Sequence, residues 1–221
     1  MTAPRRVARA HDWLVSMRGG EKVFEVLCEL FPDATVYTLL HVKGSVSPAI
    51  ERLPIRTSFV QHLPGAATRY RNYLPLFPAA IGRFDLTGHD LIVSSSHCAA
   101  KAIHTPRGSA HICYCYTPMR YIWDQYDEYF SPGRASLPVR AAMGVLRGPL
   151  QRWDRRTARN PHRFVAISEN VRERIRRIYG RPSDLIYPPV DTARFTAPAG
   201  PDEFFLVVSA LVPYKRVELA V

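Results

Sequence analysis

Short runs of β-forming residues recur along this chain with a helical pattern between each and the next, and that alternation constrains the fold more than any other feature. "HDLIVSSS", "AHICYCY" and "HRFVAIS" are near-continuous apolar runs, as expected of strands covered on both faces. "RVARAHDWL", "ATVYTLL" and "LPIRTSFV" read as earlier strands, although Arg9 interrupts the first, and "SDLIYPPV" closes the series. Between them Val23, Val26, Leu27, Leu30 and Phe31 fall on one helical stripe. A longer helical pattern covers about 137 to 158, and Val171, Ile175, Ile178 and Tyr179 share a face after "HRFVAIS". Strands alternating with helices predict an α/β, Rossmann-like, doubly wound parallel sheet over residues 1–195. The Pro/Gly-rich stretch "TAPAGPDE" at 196–203 reads as a linker. "FFLVVSAL" then opens a second unit, 204–221, of which only a first strand and a helix start are present.

A formal charge of +11, with all but four of the thirty basic residues arginine, attracts anions: phosphorylated small molecules, nucleic acid or an acidic membrane face. The four cysteines show no CxxC pairing and no zinc-ligand spacing with histidine, so they read as buried reduced thiols of a cytoplasmic protein. The basic N-terminus has no apolar stretch long enough for a signal peptide. No segment approaches the roughly 20 apolar residues of a membrane span.

In a doubly wound sheet, ligands bind beyond the carboxyl ends of the strands. Gly19 and Gly20 open a helix there, with Glu21 in its first turn; the pair is either a phosphate- or sugar-approaching loop or a tight turn. His97 and Lys101 lie one helical turn apart after "LIVSSS", facing an anion or simply capping and solvated. Tyr116, Arg120, Tyr121 and Trp123 follow "HICYC", and Arg120 can clamp a phosphate through two donors. Ser168 reads as a helix N-cap. Lys215 and Arg216 stand where strand passes to helix. A cationic pair is unfavourable there unless it holds an anion.

Taken in order, "HDWLVSMRGGEKV", "HDLIVSSSHCAAKAI", "HICYCYTPMRYIWD", "RFVAISENVRERIRRIYG", "IYPPVDTARF" and "VVSALVPYKRVELAV" resemble glycosyltransferase family 4. This is the large group of retaining, nucleotide-sugar-dependent enzymes with the GT-B fold. The nearest flavour is the mannosyltransferase-like branch of surface polysaccharide synthesis. The resemblance implies two Rossmann-like domains facing a cleft, the first receiving the acceptor and the second the nucleotide sugar. On that pattern the chain looks cut short early in the second.

The resemblance further implies a glycine loop at Gly19 and Gly20 near the donor phosphates and the acceptor. Lys215 would neutralise the departing diphosphate, with Arg216 assisting. Tyr116 stands where many relatives place a histidine that contacts the transferred sugar, and Ala210 where many carry an arginine. The implied reaction moves a hexosyl unit, mannose from GDP-mannose, to a glycan or lipid-linked glycan, with no metal and no other cofactor. The 221 residues alone are expected to be inactive. Arg69, Arg71, Arg83, the aromatic "YRNYLPLFP" and the arginines from Arg134 to Arg159 suggest peripheral contact with an anionic inner leaflet. Two other classes remain open at this point: a glycan- or nucleotide-binding module without catalysis, and a nucleic-acid-binding protein, the latter disfavoured because no nucleic-acid module is present.

Overall fold

A computed structural model describes residues 6–194, 203–209 and 217–219. Seven strands form one all-parallel sheet: β1 Val7–His11, β2 Thr35–Thr38, β3 Ile55–Thr57, β4 Leu91–Ser96, β5 Ala110–Cys115, β6 Arg163–Ala166 and β7 Asp184–Leu185. Their order across the sheet is β3-β2-β1-β4-β5-β6-β7. The chain therefore winds outward from β1 to β3, returns to the other side of β1 at β4, and continues to β7. The reversal places a topological switch point between the carboxyl ends of β1 and β4, where doubly wound sheets open their binding crevice. The α/β, Rossmann-like expectation holds.

Alternation along the strands divides the core. Ala8, Ala10 and Tyr37 face a large cluster built with Phe77, Ile81, Ile122 and Leu150. These come largely from helices α4 (Phe77–Ile81) and α6 (Leu137–Thr157), each preceded by a shorter helix, α3 (Ala66–Arg69) and α5 (Tyr126–Phe130). On the opposite face, Val36 packs with Phe24 and Cys28 of α1 (Gly19–Leu30) and with Ile50 of α2 (Pro48–Glu51). Cys113 and Cys115 of β5 pack with Val171 and Ile175 of α7 (Glu169–Tyr179). All four cysteines are buried and free. Ser168 caps α7, its Oγ accepting from Val171 N at 3.3 Å.

Several local expectations are corrected. The buried side of α1 is Val23, Phe24 and Cys28, whereas Val26 and Leu30 are 36% and 63% exposed. The helix is turned so that Phe24 stacks on His11 of β1, ring centroids 4.7 Å apart. Arg9 is fully buried under the sheet face that α1 covers, donating to the Ala34 carbonyl. The segment "YRNYLPLFP" is not an outward aromatic surface: Tyr70, Leu74 and Phe77 are core residues, because its short helical turns fold over the sheet. Residues 203–209 form no strand, and Phe204–Val208 are exposed. A parallel strand needs a ladder partner and cover on both faces, and no strand lies beside this segment among the described residues. Residues 217–219 form one 3-10 turn. The expected linker, apart from Glu203, lies outside the described residues, as do Lys215, Arg216 and Ala210. No helix among the described residues is long and apolar enough to cross a membrane.

Candidate functional site

The switch point is built around a carboxylate. Asp12, the first residue after β1, is fully buried, and its side chain accepts from four consecutive backbone N–H groups after β4. Oδ2 receives His97 N at 2.6 Å and Cys98 N at 2.9 Å, and Oδ1 receives Ala99 N and Ala100 N, each at 2.6 Å. His97 Nδ1 lies a further 3.1 Å from Oδ2. Burial alone would push the Asp12 carboxyl up, but the neighbouring His97 and these hydrogen bonds outweigh it. The carboxyl is held below the ordinary range. A row of N–H groups of this kind is an anion-binding nest, and here the domain fills it with its own anion.

Above this floor opens a groove of about 960 Å³. Its walls come from the loops after β1, β4, β5 and β6, the start of α1, and the turns around Tyr70 and Arg134. Gly20, Glu21, His97, Tyr116 and Arg120 all line it, so most of the sequence-derived candidates converge. Gly19 begins α1 beside them. A Cβ at Gly19 would meet nothing within 4 Å, and one at Gly20 only the Tyr116 ring at 3.8 Å. Neither glycine is therefore required by packing.

Glu21 is buried, and its Oε2 accepts from Arg18 N at 3.0 Å while Oε1 lies 3.7 Å from His11 Nε2. Burial pushes Glu21 up, but His11 and the backbone donors more than offset it and hold the carboxyl low. A polar chain continues inward: His11 Nδ1 is 3.1 Å from Ser95 Oγ, which donates to the Tyr116 hydroxyl at 2.8 Å. The Tyr116 hydroxyl in turn donates to the Gly20 carbonyl at 2.8 Å. Its one proton is thereby used within the domain, and burial keeps the phenol neutral. Tyr116, the catalytic candidate that the resemblance offers, thus ties the glycine turn to the end of β5.

Lys101 is also corrected. It is 1% exposed and points away from the groove, its Nζ 3.0 Å from Asp154 Oδ1. Residues Ala100–Ala102 form a single 3-10 turn rather than an α-helix, so His97 and Lys101 do not share a face. Sequence reasoning passed over Asp12, Arg18 and Arg174 and read Arg71 and Arg134 as membrane-facing, although all four arginines line the groove. Only Asp12 carried a usable signal, as the residue directly after the first strand.

The domain is an all-parallel, doubly wound unit with an arginine-lined groove at its switch point. The chain belongs to glycosyltransferase family 4: the model of that family, described as Glycosyltransferase Family 4, matches residues 17–194. Among solved structures it is similar to Alr3699/HepE of Anabaena in complex with UDP, at 13% identity and a TM-score of 0.48, over 85% of this chain and 45% of that one. The chain thus spans less than half the length of that structure. No curated protein sequence matches it.

Proposed function

We propose that this domain is the acceptor side of a retaining glycosyltransferase that moves a hexosyl unit, mannose from GDP-mannose, onto a hydroxyl of a glycan or lipid-linked glycan. The observation that carries the reading is the convergence of family-matched segments on one groove, where Gly20, Tyr116 and Arg120 come from three separate loops. Transfer breaks the bond between the anomeric carbon and the diphosphate, and negative charge collects on the leaving group. The nest at the switch point is filled by Asp12 and is closed to that diphosphate. The family resemblance gives that charge to Lys215, with Arg216 assisting.

The test is transfer of labelled mannose from GDP-mannose by the chain joined to its donor-binding domain, with the 221 residues alone expected to give none. Lys215→Ala is expected to lower turnover by at least about 100-fold, the scale of removing one charge-stabilising donor, with little change in melting temperature. Unchanged turnover would remove Lys215 from the mechanism. A non-catalytic binding module predicts occupancy of the groove with no transfer by either form.

The same proposal places the enzyme in the cytoplasm, peripherally on an anionic inner leaflet. The surface that supports this is the first half of α6, not the aromatic segment around Tyr70. Leu137, Val139 and Val145 are exposed there, with Arg134 and Arg140 close in sequence. Each basic residue near an anionic bilayer contributes about 1 kcal/mol before screening. Sedimentation with acidic vesicles at low salt is expected to carry the protein down, and Val145→Asp to reduce it. Equal recovery with neutral vesicles would count against the docking.

A further inference from the structure

The first turn of α1 is held by a polar circuit that starts and ends on neighbouring residues. It runs from Glu21 to His11 on β1, to Ser95 on β4, to Tyr116 directly after β5, and back to the carbonyl of Gly20. His11 is its innermost member. It lies under the groove, fully buried and stacked on Phe24, so it acts on the groove only through its neighbours.

Each hydroxyl in the circuit has a single hydrogen to give. Tyr116 gives its own to the Gly20 carbonyl, and Ser95 gives its own to the Tyr116 oxygen, each at 2.8 Å. Ser95 Oγ therefore offers only lone pairs to His11 Nδ1 at 3.1 Å, and Nδ1 carries a hydrogen. The other ring nitrogen, Nε2, is turned to Glu21 Oε1 at 3.7 Å and has no hydrogen-bond partner among the described residues. Glu21 in turn holds Arg18 N at 3.0 Å. The turn has little else to fix it: the side-chain position of Gly19 meets nothing within 4 Å, and that of Gly20 meets only the Tyr116 ring.

We infer that His11 is a positioning residue for glycosyl transfer. Through Ser95 and Tyr116 on one side and Glu21 on the other, it fixes where the Gly19–Gly20 turn stands in the groove. This rests on the glycosyl-transfer reading and adds to it a residue behind the site.

Turnover is measured on the chain joined to its donor-binding domain, and amide exchange and histidine nitrogen NMR on the 221-residue chain. His11→Phe keeps a ring to stack on Phe24 but cuts the circuit. It is expected to lower kcat about 10- to 100-fold, the scale of a small misplacement at a reacting centre. KM is expected to stay within about two-fold, as for an interaction that matters in the transition state. His11→Asn, whose amide can stand in for the Nδ1 donor, is expected to recover most of that loss. Ser95→Ala combined with Tyr116→Phe is expected to cost little more turnover than either alone, since each opens the same circuit.

In the 221-residue chain, the His11 ring is expected to show its hydrogen on Nδ1. His11→Phe is expected to speed exchange of the Lys22 amide, which closes the turn onto the Arg18 carbonyl, about ten-fold or more while α7 is unaffected. Equal losses for the Phe and Asn variants, additive losses for Ser95 and Tyr116, or an Nδ1 without hydrogen overturns the inference. Should His11→Phe fail to fold, the Ser95 and Tyr116 variants and the ring's tautomer decide. A parent that transfers nothing removes the transfer reading alone, and the tautomer and the Lys22 exchange still decide whether His11 holds the turn.

Discussion

Asp12→Ala is expected to destabilise the domain by about 3–5 kcal/mol, the scale of stripping one partner from a buried, charge-assisted network. For a domain of this size that is a fall in melting temperature on the order of 10 °C. The substitution removes one small side chain but leaves four backbone N–H groups, from His97 to Ala100, without an acceptor. Orphaned buried donors carry their full desolvation cost. Asp12→Asn keeps the shape and one acceptor oxygen, so a smaller loss is expected. Because the vacated space is a carboxylate-sized nest of donors, formate should raise the melting temperature of Asp12→Ala more than that of the parent. An alanine variant within about 1 kcal/mol of the parent, or one indifferent to formate, would show that the carboxylate does not hold this corner together.

The same carboxylate gives the domain an acid limit. Its folded-state pKa is depressed, so its contribution is complete above the ordinary carboxylate range and is lost as pH falls below about 5. His111 adds to this from a higher pH. It is fully buried between Ser94 Oγ at 2.8 Å and Thr105 Oγ1 at 2.9 Å, and burial, with His162 and Lys101 nearby, pushes it down to about 3. An unfolded chain protonates that histidine near pH 6.5, so its contribution is present above that value and drains away between about 6.5 and 3. Acid unfolding should therefore begin with a His111-dependent slope of up to about 1.4 kcal/mol per pH unit and steepen as Asp12 joins it.

These two residues mark what could be read from sequence and what could not. The strand–helix alternation was legible because it is local: "LIVSSS", "HICYC" and "RFVA" each carry their own apolar run, and the strands formed where those runs lie. The start of α1 at Gly19 and the Ser168 cap were legible for the same reason. The floor of the groove was not, because Asp12 has meaning only once β4 lies beside β1 and brings residue 97 to it. The facing of α1 was missed because several near-equal apolar stripes exist on it, and the stacking of Phe24 on His11 selects between them. Lys101 was misplaced because its i, i+4 spacing from His97 assumes an α-helix where the chain makes a single 3-10 turn. Arg71 and Arg134 read in the sequence as part of a membrane-facing arginine surface, and only the fold brings them to the groove.

Removing both sides of the buried Lys101–Asp154 pair together is expected to cost less than the sum of removing each separately. Asp154 is fully buried on α6, and its Oδ2 accepts from Trp123 Nε1 at 2.8 Å and from the Tyr179 hydroxyl at 2.9 Å. Lys101 Nζ, 3.0 Å from Oδ1, also donates to the Asp154 carbonyl at 2.9 Å and to Thr157 Oγ1 at 3.2 Å. One hub thus joins the turn after β4, helices α6 and α7, and the loop that carries Arg120 and Tyr121 into the groove. Each single substitution should cost about 3–5 kcal/mol at neutral pH, because it strands the opposite charge in the core. Replacing both, Lys101→Met with Asp154→Ala, should cost less than the sum of the two, as residues sharing one network do. Chemical denaturation of the three variants measures the difference. Additive losses would mean that packing rather than the ion pair holds the hub, and the loop bearing Arg120 would then owe its position to Trp123 alone.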